Sequence, residues 1–198
     1  MRFPEFVAFQ SASHDDTSDE DEIESHDTPD ELLEATYRGL RRSLADELLE
    51  RIAGCSPEFF ETLVVTLLVA MGYGGSREEA GKSIGRSGDG GIDGIINEDR
   101  LGLDIIYVQA KRWAANVSEP TVREFAGSLD GRRAKKGVLI TTSGFTDPAR
   151  SFVKNIEKKI VLIDGLMLAD LMIEHSVGVN TVVNYAVKKV DSDFFADE

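Results

Sequence analysis

The sequence predicts an α/β fold in which helices flank a central mixed β-sheet. Two segments with helical periodicity come first, and short strand-like runs separated by further helical segments follow them. The resulting order of helices, strand hairpin, helix, strand, helix and strand is typical of α/β domains. The chain is 41% hydrophobic and 29% charged, which is ordinary for a globular domain.

Residues 1–28 are predicted to be an acidic disordered linker or tail, and residues 29–198 the folded domain. Residues 1–30 contain ten Asp or Glu and one Arg, and few apolar side chains follow Phe9. Such a composition buries too little surface to offset the loss of chain entropy, so it predicts disorder. Only residues 3–9 are apolar enough to pack on another element.

Two helices are predicted at the start of the domain. Thr28-Pro29 and Ser56-Pro57 each place a capping hydroxyl before a proline that suits the first helical position. Gly54 ends the first helix, and Met71-Gly72 ends the second. The first helix carries an apolar stripe formed by Leu33, Tyr37, Leu40, Leu44, Leu48 and Ile52. This stripe either packs on its own domain or forms a homodimer interface, which would allow both DNA strands to be cut.

The sheet is predicted from the second half of the chain. Strands over residues 91–97 and 104–111 are joined by a hairpin loop over residues 98–102. A helix over residues 118–133 and a buried strand over residues 137–142 follow. A helix over residues 146–157, a strand over residues 160–163 and a helix over residues 166–174 complete the domain.

Composition excludes several classes of protein. The single cysteine, Cys55, cannot form an internal disulfide or a Cys-based zinc site, which fits a reducing cytoplasm. No run of 18 apolar residues predicts a membrane span, and the pattern of the first residues does not predict a signal peptide. The net charge of -14 argues against a nucleic-acid partner, yet residues 111–159 hold eleven Lys or Arg and five Asp or Glu. Such a local basic field is what attracts a polyanion.

Three polar residues are predicted to converge on the strand hairpin. Asp93 is expected in the first strand, and Gln109 and Lys111 at the end of the second, where residues i and i+2 face the same side. Phosphodiester hydrolysis commonly uses a metal that supplies a nucleophilic water, and Mg²⁺ prefers oxygen ligands. An Asp beside glycines is more often turn chemistry, so the hypothesis depends on the whole constellation.

Two segments flank the predicted hairpin: Gly88-Asp89-Gly90-Gly91-Ile92-Asp93-Gly94 and Gln109-Ala110-Lys111-Arg112-Trp113. Together they resemble the nuclease signature of the Mrr-type restriction endonucleases. This family belongs to the PD-(D/E)xK nuclease superfamily, here in the variant with Gln in place of the second acidic residue. Residues 56–61, 134–143 and 163–165 resemble the same family. The resemblance covers roughly residue 28 to the C-terminus and implies a restriction-endonuclease-like three-layer fold.

The resemblance implies a role for each candidate residue. Asp93 would be the principal metal carboxylate, Gln109 would offer its amide oxygen, and the backbone carbonyl of Ala110 would be a further ligand. Lys111 would orient the attacking water and stabilise the charge of the transition state. Glu61, on the second helix, matches the family's helical glutamate. The implied activity is cleavage of double-stranded DNA, methylated or foreign, with Mg²⁺ and with Mn²⁺ as a substitute.

A set of basic residues is predicted to contact DNA and to make binding steeply salt-dependent: Arg86, Arg112, Arg123, Arg132, Arg133, Lys135, Lys136, Arg150 and Lys154. Taken singly, each is more typical of a solvated surface charge. Two alternatives stay open, a structure-selective, junction-resolving nuclease and a catalytically silent DNA-binding fragment. The resemblance also implies an N-terminal winged-helix domain, of which residues 3–9 are interpreted as a remnant.

Overall fold

The computed structural model describes residues 28–74, 92–99 and 103–195. Its helices are α1 (Pro29–Ala53), α2 (Pro57–Ala70), α3 (Glu119–Gly131), α4 (Asp147–Lys154) and α5 (Gly165–Glu174). Its strands are β1 (Gly94–Asn97), β2 (Ile105–Lys111), β3 (Lys136–Thr141) and β4 (Lys159–Ile163), and a 3₁₀ turn spans Asp193–Phe195. The predicted order of elements is confirmed over these residues. The predicted linker, apart from Thr28, lies outside them.

The helix starts follow from their capping residues. The chain divides into two units, residues 1–38 and 39–198, and the described part of the first is the start of α1. There the Thr28 N–H donates to Glu31 Oε2 at 2.7 Å, and the Glu31 N–H donates back to Thr28 Oγ1 at 3.3 Å. This reciprocal arrangement is a capping box. Side-chain caps also begin three helices of the second unit, from Ser56, Thr146 and Asp164.

The second unit contains a four-stranded sheet of order β1-β2-β3-β4. β1 and β2 are antiparallel, whereas β2, β3 and β4 are parallel, as a hairpin followed by helical crossovers requires. The ends of the parallel strands at Lys111, Thr141 and Ile163 therefore share one edge of the sheet, which we call the carboxyl edge. The opposite edge, at Ile105, Lys136 and Lys159, is the amino edge. The chain enters β1 from the carboxyl edge.

Helices cover both faces of the sheet. α1, α2 and α5 pack on one face in a cluster that includes Phe60 and Ile140. α3 and α4 pack on the other face in a cluster that includes Phe125 and Leu139. Leu139 and Ile140 are neighbours in β3 and point to opposite faces of the sheet, so this strand packs against both helical layers. Burying one such side chain contributes about 1.5–3 kcal/mol. The predicted three-layer α/β fold is confirmed. No described helix combines the length and the apolar character needed to cross a membrane.

The predicted position of Asp93 within the first strand is wrong, because β1 begins at Gly94. The Asp93 N–H still donates to the Val108 carbonyl at 2.9 Å. The N–H of Ala110, however, donates to Asp93 Oδ2 at 2.7 Å. A side-chain carboxylate thus takes the place of a backbone acceptor, and regular pairing stops at Gly94. Residue 91, the predicted start, lies outside the described residues.

The apolar stripe of α1 is buried at its C-terminal end and exposed at its N-terminal end. Leu48 and Ile52 are buried in the core of the second unit. By contrast, Leu33, Tyr37 and Leu40 are 51%, 61% and 67% exposed. The C-terminal end of the stripe therefore packs on its own domain, which was one of the two alternatives. A homodimer interface at the exposed residues stays a prediction.

Candidate active site

The carboxyl edge brings together the polar residues of the hairpin. Asp93 stands where the chain enters β1, and Gln109 and Lys111 are the last residues of β2 on one face of the sheet. Gln109 pairs in register with Leu139, and Lys111 pairs with Thr141. Because Leu139 belongs to the core beneath α3 and α4, Gln109 and Lys111 lie on the face that these helices cover. Gln109 is only 5% exposed.

Glu61 reaches the same edge from α2. A Cβ atom placed on Gly94 would lie 3.5 Å from Val65 Cγ2, so α2 packs directly over the start of β1. Glu61 precedes Val65 by four residues and therefore shares its helical face. That places the Glu61 carboxylate near Asp93, the residue immediately before Gly94.

The two carboxyl groups influence each other electrostatically. Desolvation, followed by the charges of Asp93 and Glu58, raises the pKa of Glu61, and Lys111 opposes this rise. Burial likewise raises the pKa of Asp93, against the opposing effects of the Ala110 N–H and of Lys111. Both carboxylates are therefore costly to ionise together without a cation. A bound divalent metal would relieve that cost.

The donor set fits a magnesium ion completed by its substrate. Within residues 28–74, 92–99 and 103–195, no three His, Cys, Asp or Glu side chains are grouped closely enough to hold a metal. The available donors are two carboxylates, the amide oxygen of Gln109 and the carbonyl of Ala110, all of them hard oxygens. Mg²⁺ is often held by one or two carboxylates together with waters and substrate phosphate. The pairing of Asp93 with Glu61 meets that requirement.

Hydrogen bonds join the loop that follows β2 to the loop that follows β3, beside the candidate site residues. Thr142 Oγ1 donates to the Trp113 carbonyl at 3.0 Å, and Ser143 Oγ donates to the Ala115 carbonyl at 2.7 Å. An isolated parallel bridge joins Val117 to Phe145. Hydrogen bonds therefore join the segments that follow β2 and β3 into one unit, which we call the loop frame. It lies beside Lys111, the last residue of β2.

Three residues at this edge have structural contacts that the sequence did not indicate. Thr141 is 0% exposed, although it is polar, and its hydroxyl donates to the Lys111 carbonyl at 2.8 Å. Arg150 Nη2 lies 2.6 Å from Asp164 Oδ2. Burial would raise the pKa of Asp164, but the side-chain hydrogen bond from Arg150 and the Met167 N–H outweigh it and hold that pKa below its usual value. The only sequence signal for Thr141 is that it ends an apolar strand.

Some predicted DNA contacts lie near the carboxyl edge or on the α3 and α4 layer. Arg112 Nη1 donates to the Ala53 carbonyl at 2.6 Å and so connects the end of β2 to the end of α1. Arg150 lies beside Asp164, at the start of α5. Arg123 pairs with Glu119 and stacks 4.4 Å from the centroid of the Phe152 ring. Lys154 is in the last turn of α4.

The other predicted contacts are placed elsewhere. Arg132, Arg133, Lys135 and Lys136 are at the amino edge, where Lys136 Nζ pairs with Glu98 and Asp104. β3 has six residues, so these cations lie about 17 Å along the sheet from the carboxyl edge. The predicted basic residues therefore do not form one patch around Asp93. Arg86 lies outside the described residues.

Comparison with known proteins finds similarity to restriction enzymes. A family model for Mrr catalytic domains, described as "Restriction endonuclease", matches residues 52–172. The type IV methyl-directed restriction enzyme EcoKMrr of Escherichia coli (strain K12) is 46% identical over 180 residues. That alignment covers 91% of this chain and 58% of the relative, so the chain spans little more than half of that enzyme.

Among the solved structures that are also similar is the MspJI restriction endonuclease in complex with a 27-mer oligonucleotide, at 24% identity and a TM-score of 0.42. The match covers 79% of this chain and 34% of that one.

Proposed function

Because this chain belongs to the Mrr catalytic-domain family of restriction endonucleases, we propose that it is a Mg²⁺-dependent endonuclease of double-stranded DNA. The observation that carries the proposal is the convergence of Asp93, Glu61, Gln109 and Lys111 on one edge of the sheet. Its setting would be the cytoplasm, within a type IV restriction system. The relative is described as methyl-directed, and we extend a preference for methylated DNA to this chain as part of the proposal.

Each candidate site residue would have its own role in phosphodiester hydrolysis. Asp93 and Glu61 would hold the metal, with the oxygens of Gln109 and Ala110 as further ligands. When bound, Mg²⁺ would neutralise charge on the phosphate and lower the pKa of a bound water. The Lys111 amine, whose charge acts on both carboxylates, would orient the attacking water and stabilise the charge of the transition state. Burial of Gln109 keeps the base of the site closed to bulk water.

The proposal is tested with three DNA substrates: methylated plasmid, unmethylated plasmid and a plasmid with an extruded cruciform. Each is incubated with the protein and Mg²⁺, Mn²⁺ or EDTA. Nicked and linear products that require the metal and favour methylated plasmid would support the proposal. Preferential cutting at the cruciform would support a junction-resolving nuclease instead. Binding of every plasmid without cleavage would identify a catalytically silent DNA-binding protein.

Replacing Glu61 by glutamine is expected to weaken the metal site. The change keeps the size of the side chain but removes one of two negative charges facing the metal, so half-maximal cleavage should need roughly 10- to 100-fold more Mg²⁺. The carboxyls must also be deprotonated to bind metal, and their pKa values are raised. The Mg²⁺ requirement of the wild type should therefore rise as the pH is lowered.

Titration of the cleavage rate with Mg²⁺ at several pH values measures both effects. Glu47→Gln is a matched control, because Glu47 is an exposed helical glutamate paired only with Arg51 among the contacts of the described chain. An unchanged Mg²⁺ requirement in the Glu61→Gln variant would remove Glu61 from the metal site.

Replacing Arg150 by alanine is expected to reduce the salt dependence of DNA binding. Arg150 lies at the carboxyl edge, and its side chain is 43% exposed despite the pairing with Asp164. Loss of one phosphate contact should reduce the magnitude of the negative slope of log K against log salt by about 0.9. The exposed Arg42 serves as the control. Fluorescence anisotropy with a labelled duplex gives the slopes, and equal slopes for Arg150→Ala and the wild type would show that Arg150 does not contact DNA.

A further inference from the structure

We propose that Thr141 is the positioning residue for Lys111, an inference that rests on the proposed nuclease function. Thr141 ends β3, pairs in register with Lys111, and is 0% exposed. Its hydroxyl is 2.8 Å from the Lys111 carbonyl oxygen. A polar side chain is therefore buried directly behind the residue that would orient the attacking water.

The hydrogens of the hydroxyl groups can be assigned from their neighbours. A threonine hydroxyl has one hydrogen to donate and two lone pairs. The Lys111 carbonyl can only accept, so Thr141 donates to it, and the Ser143 N–H donates to Thr141 Oγ1 at 3.2 Å. The Ser143 hydroxyl gives its hydrogen to the Ala115 carbonyl at 2.7 Å. Thr141 thus connects the frame formed by the two loops to the end of β2.

The hydrogen bond from the Thr141 hydroxyl is made at the C-terminal end of β2. β2 ends at Lys111. The Lys111 carbonyl accepts three hydrogen bonds there, from the Thr141 hydroxyl, from the Trp113 N–H at 3.0 Å and from the Thr142 N–H at 3.3 Å. The hydroxyl makes the shortest of the three contacts. The Lys111 amine lies 5.5 Å from the centroid of the Trp113 ring. Fixing the backbone of Lys111 fixes the direction in which its side chain leaves the strand.

The test removes the hydroxyl and then restores it. Thr141→Val keeps the branched shape but not the donor, and kcat for DNA cleavage should fall on the order of 10- to 100-fold, because small misplacements of a catalytic group are costly. KM for DNA and the affinity for Mn²⁺ should change by less than about twofold, because the metal ligands are untouched. Thr141→Ser keeps the hydroxyl and should recover most of kcat.

Thr66→Val provides the matched control. The Thr66 hydroxyl also donates to a backbone carbonyl, that of Thr62 at 2.8 Å, but on the exposed side of α2. Loss of that bond should leave kcat unchanged. Three results would overturn the proposal: a Thr141→Val variant with the kcat of the wild type, a parallel loss of Mn²⁺ affinity, or a serine variant as slow as the valine variant.

Amide hydrogen exchange tests the positioning role of Thr141 independently of the proposed nuclease function. If Thr141 fixes the Lys111 carbonyl, this acceptor becomes more mobile in Thr141→Val, so the N–H groups of Trp113 and Thr142 that donate to it should exchange faster there and return to the wild-type rate in Thr141→Ser. This readout does not require cleavage. A wild-type protein without nuclease activity would refute the proposed function, whereas unchanged exchange at these two amides would refute the positioning role.

Discussion

Replacing Asp93 by alanine is expected to abolish metal-dependent DNA cleavage, with a loss on the order of 10³-fold or more in kcat. Asp93 is the carboxylate at the entry to β1, and one of its oxygens already accepts the Ala110 N–H at 2.7 Å. The substitution would therefore remove the carboxylate that we propose as the principal metal ligand, and it also removes the acceptor of the Ala110 N–H. Single-turnover cleavage of a labelled duplex at saturating protein measures the effect.

Asp93→Asn separates the charge from the hydrogen bond. Asparagine can still accept the Ala110 N–H, but it carries no charge for the metal, so cleavage should be lost as completely as in the alanine variant. DNA binding in EDTA should stay within about threefold of the wild type, since the basic residues are unchanged. Cleavage by either variant within tenfold of the wild-type rate would show that Asp93 is not the principal ligand.

The same variant tests the electrostatics of the metal-free site. Because the pKa of Asp93 is raised by burial, the folded protein holds this proton more tightly than the unfolded chain. The stability that Asp93 contributes is then fully present below its unfolded pKa and is lost as pH rises through its folded pKa. Asp93→Asn should melt above the wild type at neutral pH without metal, and this advantage should disappear in acid.

Replacing Gly165 by alanine is expected to produce the largest loss of stability, about 3 kcal/mol and roughly 10 °C in Tm. A Cβ atom at this position would lie 3.0 Å from the Thr142 carbonyl carbon and closer still to its oxygen. The obstacle is backbone rather than a flexible side chain, so either α5 or the loop after β3 must move. Thermal unfolding followed by circular dichroism measures the change.

Activity should fall together with this stability. The Gly165 N–H donates to the Ser143 carbonyl at 2.8 Å, so displacing it disturbs the loop frame beside Lys111. Gly127 is the control, since a Cβ atom there meets nothing within 4 Å and the residue is in α3. Gly127→Ala should stabilise the protein by up to about 1 kcal/mol through helix propensity. A Gly165→Ala variant that melts with the wild type would show that the close approach to Thr142 can relax.

Local patterns in the sequence predict most of the elements. The capping residues Thr28, Ser56 and Thr146, each followed by a proline within two positions, mark helix starts that the structure confirms. These signals are local, because a cap and its amide lie within one turn of helix. The boundary at Asp93 could not be predicted in this way, since it depends on a hydrogen bond to Ala110, which pairing brings close across the hairpin.

The sequence by itself determined the order of helices and strands, the family, and the identity of Asp93, Gln109, Lys111 and Glu61 as candidate site residues. Only the tertiary structure decided which residues surround them. Parallel pairing of β2 with β3 buries Thr141 behind Lys111 and places Lys135 and Lys136 at the amino edge, although these two lysines are close to Thr141 in the sequence. The physical reason is that strand direction and register place each residue at one edge or the other, and neither is encoded in local periodicity.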